Sequence, residues 1–85
     1  MEKLMKDIDV VGQLLIDNNG PVLHRFFDLV EVGEVESALV GGVRVLSEMG
    51  VEVPSDVRSH AEELDRIEKE RVKEMLRRAN ERFKR

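Results

Sequence analysis

The sequence predicts an all-α protein, a small bundle of three to four helices with a long, projecting C-terminal amphipathic helix. Three observations predict it. Apolar residues recur at three- and four-residue steps along nearly the whole chain. Both prolines and three of the six glycines fall in short stretches between these runs, at Asn18–Pro21, Gly33 and Gly50–Pro54. Residues 55–85 then contain neither glycine nor proline and are dense in Glu, Lys and Arg. The chain reads as a single domain over residues 1–85, with a helical body at 1–54 and one long helix at 55–85.

From about Glu2 to Asn18, Leu4, Ile8, Val11 and Leu15 form an apolar stripe that Met5, Leu14 and Ile16 widen. Asn18-Asn19-Gly20-Pro21 ends that helix, because Asn and Gly tolerate the left-handed cap and proline cannot extend the ladder. Pro21 suits the first turn of the next helix. There Val22, Phe26, Leu29 and Val30 share a face, with Leu23 and Phe27 beside it, and the Phe26–Phe27 pair reads as the centre of the core.

Gly33 leaves two readings: a break before a new helix near Glu34, or one helix from Val22 to about Met49. Val35, Ala38, Leu39, Gly42, Val45, Leu46 and Met49 continue the pattern in either case. Each glycine of Gly41-Gly42 costs about 1 kcal/mol against alanine inside a helix. Either Gly42, on the apolar face, admits a close neighbour or the pair is a kink. Gly50 caps this segment, Val51 and Val53 plug the end of the core, and Ser55 with Asp56 opens the last helix.

At roughly 1.5 Å per residue that last helix runs about 45 Å, longer than the body before it. Val57, Ala61, Leu64 and Ile67 make one stripe; Val72, Met75, Leu76, Ala79 and Phe83 make another, with charge at Glu68–Arg71 between them. The first stripe suits the chain's own body. The second overhangs it and asks for a partner.

Charge divides the chain in the same place. Residues 1–65 hold 5 Lys or Arg against 14 Asp or Glu, while residues 66–85 hold 9 against 4, so an acidic body precedes a basic tail. With no cysteine, disulfides and thiolate metal sites are excluded. The N-terminal residues mix charge signs and do not read as a signal peptide, and no apolar run approaches the roughly 18 residues of a membrane span, so a cytoplasmic protein is expected. The excess of charged residues over Gln and Asn resembles a thermophile's composition.

The serines lack a nucleophile motif and Gly41-Gly42 lacks the Lys and Ser/Thr of a phosphate loop. His24 and His60 are isolated in sequence, although His60 and Glu63 are spaced to share a helix face. The acidic residues offer one constellation. If their helices pack side by side, Glu31, Glu34, Glu62 and Asp65 surround Mg²⁺ in an all-oxygen site that orients phosphates and activates water. Glu31–Leu39, EVGEVESAL, with Glu62–Asp65, EELD, resembles the ExxE and ExxD motifs of the MazG-type all-α nucleoside triphosphate pyrophosphohydrolases. That resemblance implies a Mg-dependent enzyme carried by those four carboxylates.

Two other functions compete with it. Arg71, Arg77, Arg78, Arg82, Lys84 and Arg85 are an array able to neutralise nucleic-acid phosphates. Against that stands the acidic body, which repels a polyanion, and a tail whose only aromatic residue is Phe83. The expected function is therefore a non-enzymatic interaction or assembly module without a cofactor. Its partner is a second copy, forming a homodimer, or another protein, and its contact residues are Val72, Met75, Leu76, Ala79 and Phe83.

Overall fold

The computed structural model describes residues 2–83. Four helices follow one another: α1 (Glu2–Asp17), α2 (Leu23–Glu31), α3 (Val35–Glu48) and α4 (Ser55–Phe83). The first three form a bundle in which α3 packs on both α1 and α2, and α4 crosses onto α3. The described chain measures 54 × 26 × 24 Å, elongated by the free end of α4.

The first three helices end in the same way, with one residue in the left-handed region and a pair of backbone bonds reaching back over the last turn. After α1, Asn19 takes φ +50°, and the Gly20 amide donates to the Leu15 carbonyl at 2.8 Å. After α2, Gly33 takes φ +87°, and the Glu34 amide donates to the Leu29 carbonyl at 2.8 Å. After α3, Gly50 takes φ +76°, and the Val51 amide donates to the Leu46 carbonyl at 2.9 Å. Gly33 is thus a stop, and α2 and α3 are separate helices. Apolar spacing alone does not reveal the stop, because Val32 and Val35 on either side of it are a helical three-residue step apart, whereas the backbone has already turned.

The core consists of Ile8, Val11 and Leu15 from α1, Phe26 from α2, Ala38, Leu39, Val43 and Leu46 from α3, Val53 from the connector, and Val57 and Ala61 from α4. Gly42 lies where α1, α2 and α3 meet. A Cβ there would stand 2.5 Å from Val11 Cγ1 and 3.2 Å from the Phe26 ring, so close packing is the reason for this glycine, and α3 runs helical through it. Gly41, one residue earlier, has nothing within 4 Å of the same construction.

Three expectations need correction. Phe27 is 44% exposed and meets Phe26 edge-on at 5.4 Å between ring centroids, so Phe26 alone is central. Neighbours on a helix point about 100° apart, and only one of two adjacent rings can face the core. Pro21 precedes the helix, in a turn that the Leu23 amide closes onto the Gly20 carbonyl, and is not in its first turn. Ile67 is 44% exposed and off the docked stripe, while Val43, not anticipated, is buried.

Candidate functional site

Helix α4 has a docked half and an undocked half. From Ser55 to Asp65 it lies against the body: Val57 and Ala61 are buried, Leu64 is half-buried, and Arg44 Nη2 of α3 stands 3.8 Å from Asp65 Oδ1. Two further contacts tie it to α1. Lys3 Nζ is 3.7 Å from Asp56 Oδ2, and His60 Nδ1 is 2.6 Å from Asp7 Oδ2. From Arg66 to Phe83 every residue is exposed except the half-buried Ala79. At 1.5 Å per residue this overhang is about 27 Å long.

The overhang is amphipathic. Val72, Met75, Leu76 and Phe83 are 46%, 69%, 60% and 88% exposed, and they fall on one face with Ala79. This face continues the docked one. Val57, Ala61, Leu64, Glu68, Val72, Met75, Ala79 and Phe83 advance in steps that repeat every eleven residues, a period that keeps a stripe nearly straight along an α-helix. The two stripes are one line, interrupted only by Glu68. The signal was present in the sequence, but taking Ile67 as the fourth member of the first stripe turned that stripe aside.

Charge is sorted around the overhang. Lys69 and Lys73 border the apolar face on one side, and Arg71, Arg78 and Arg82 border it on the other. Glu70, Glu74, Arg77 and Glu81 occupy the back. There Arg77 donates to Glu74 through Nη2 at 2.6 Å and Nε at 3.2 Å, and to Glu81 through Nη1 at 2.7 Å. Arg78 Nε reaches Glu74 Oε1 at 3.3 Å. The Arg77 hydrogen bonds, then its charge, hold the Glu74 carboxyl below the usual glutamate range, and the same bonds raise Arg77. Such exposed pairs contribute little individually, yet they favour helix in a segment that packs on nothing.

Of the array considered for nucleic acid, Arg77 and Arg78 are thus engaged by Glu74, while Arg71 and Arg82 stand with Arg78 along one side of the apolar face. Lys84 and Arg85 lie outside the described residues. The carboxylates considered for Mg²⁺ are dispersed. Gly33 turns the chain between Glu31 and Glu34, so they are not one helical turn apart; Glu62 is exposed on α4, and Asp65 is engaged by Arg44 and by Lys69 Nζ at 3.2 Å. Among the described residues no three His, Asp or Glu side chains are grouped to hold a metal ion. No described helix is long and apolar enough to cross a membrane.

Sequence reasoning missed the Asp7–His60 pair. Asp7 is a buried acid on the inner stripe of α1, one turn after Leu4 and one before Val11. Its carboxylate, 5% exposed, faces His60 across the α1–α4 contact, with Lys3 Nζ 3.5 Å away. A charged residue at an apolar stripe position was the available signal. A shallow groove of about 470 Å³ also lies between α2 and α3, with Phe26, Leu29 and Gly42 among its lining residues and Arg25 and Arg44 at its sides. No protein-family model matches this chain, and neither a curated protein nor a solved structure is significantly similar to it.

Proposed function

We propose that the chain is a non-enzymatic assembly module that associates with a second copy of itself through the outer half of α4. The observation that carries this reading is the uncovered face of Val72, Met75, Leu76, Ala79 and Phe83, in line with the face that α4 already buries on its own body. At side-chain areas of roughly 150–200 Å² apiece, these residues leave about 500 Å² of apolar surface in water, within the range of patches that serve as contact sites.

The test is the solution mass of the full chain and of Leu76→Asp by light scattering, across a concentration series. The full chain is expected to be a dimer and the variant a monomer with unchanged helical content, since Leu76 touches nothing in its own body. A full chain that stays monomeric at about 100 μM, a concentration at which even weak self-association with a micromolar dissociation constant is populated, refutes the reading.

A further inference from the structure

Resting on self-association, the surface that receives the tail follows from charge and area. We infer that the outer half of α4 docks on the α1–α2 face of the second copy, around Met5, Ile16 and Phe27, so that two chains exchange tails.

The rim of the tail's apolar face is basic on both sides; Glu74 and Glu81 are turned away and held by Arg77, and Glu68 alone stands on the face, at its inner end. Two tails laid face to face would bring these basic rims together, a like-charge juxtaposition that disfavours the pairing. The occupant that suits the tail is therefore an apolar surface bordered by acids.

The body carries one. Met5, Asp9, Gly12 and Ile16 succeed one another along the flank of α1 opposite to Lys3 and Asp7, where its own α4 sits. Phe27 leans over Gly12, with a ring carbon 3.9 Å from where a Cβ would be. Met5, Ile16 and Phe27 are 43%, 46% and 44% exposed, about 250 Å² together at the same side-chain areas. Glu2, Asp9 and Asp17 border them, against the single cation Lys6. The α2–α3 groove, by contrast, is flanked by Arg25 and Arg44 and repels a basic tail.

Length fits as well. The overhang, about 27 Å, matches the roughly 24 Å of the sixteen-residue α1. Two exchanged tails with their receiving faces bury about 1,500 Å² of apolar surface, against about 1,000 Å² for two tails laid on each other, so exchange takes more apolar area out of water.

The experiment is a charge exchange read by light scattering on full-length chains. One variant carries Arg71→Glu and Arg82→Glu in the tail; the other carries Asp9→Lys and Asp17→Lys on the body. Each alone is expected to weaken dimerisation by about tenfold or more. Mixed in equal amounts they are expected to recover a heterodimer, because an acidic tail then meets a basic body and the basic tail meets the acidic body. Recovery on mixing also shows that neither variant has simply misfolded. A body variant that dimerises as tightly as the original chain overturns the docking surface while leaving self-association standing, and so does a mixture that stays monomeric. An original chain that is itself monomeric overturns both.

Discussion

Alanine placed at Gly41 and at Gly42, one substitution at a time, separates helix propensity from packing at adjacent positions of one helix. Both variants gain about 1 kcal/mol of helix propensity, so that contribution cancels in the comparison. At Gly41 the new methyl meets nothing within 4 Å, and the gain should appear nearly whole. At Gly42 it would stand 2.5 Å from Val11 Cγ1 and 3.2–3.3 Å from two carbons of Phe26. Val11 is fully buried and Phe26 nearly so, which leaves neither side chain room to withdraw. Overpacking of this kind costs about 1–3 kcal/mol, so Gly41→Ala should be the more stable of the two by that amount. For a chain of this size the difference corresponds to a separation in Tm on the order of 5–20 °C. Thermal and urea denaturation at one fixed protein concentration measure it. Val11→Ala added to Gly42→Ala should cost less than Val11→Ala alone, since it removes the atom in the way. If Gly42→Ala proves as stabilising as Gly41→Ala, the close approach of α1 to α3 at this point is refuted.

The remaining predictions concern polar side chains. His60→Ala should destabilise the fold by about 1–3 kcal/mol in urea denaturation, because it leaves the buried Asp7 carboxylate with only Lys3 nearby. Replacing Asp7 and His60 together by leucine should recover most of that loss, and a His60→Ala chain as stable as the original would show that the pair is not formed. Glu74, held below the usual glutamate range by Arg77, strengthens the outer half of α4 above the ordinary glutamate range, and that contribution disappears as pH falls through the lowered value. The loss of helical circular dichroism on acidification should therefore be larger in the original chain than in Glu74→Gln, which lacks the pair throughout.

Much of the fold was legible in the sequence because helix stops and apolar spacing are local properties. Asn19 and Gly50 announced their caps by residue type alone. Gly33 did not, since a glycine in an unbroken rhythm is compatible with a helix interior, and only its φ of +87° decides. The choice between Phe26 and Phe27, and the burial of Val43, depended on the direction from which α1 and α3 approach, which no single helix encodes. The outer stripe of α4 was legible as a face but not as a continuation of the docked one, because the link is Glu68, a residue that apolar spacing passes over. Asp7 was hidden for the same reason. A pattern built from apolar residues cannot register a carboxylate on the apolar side, and its partner lies fifty-three residues away.

Glu68 also bears on why only half of α4 packs on its own body. Because the stripe repeats every eleven residues, sliding α4 along its groove by one repeat would bring Ala61 to where Val72 had been, or Val72 and Met75 to where Ala61 and Leu64 now pack. The second slip places Glu68 in the site of Val57, which is 2% exposed and surrounded by apolar side chains. An unpaired carboxylate there would cost several kcal/mol, more than the exchange of Ala61 and Leu64 for Val72 and Met75 returns. The charge that interrupts the stripe thus holds the inner half of α4 in register on its own body. By the same exclusion it keeps the outer half from competing for that groove, which leaves the face of Val72, Met75, Leu76, Ala79 and Phe83 uncovered by its own body.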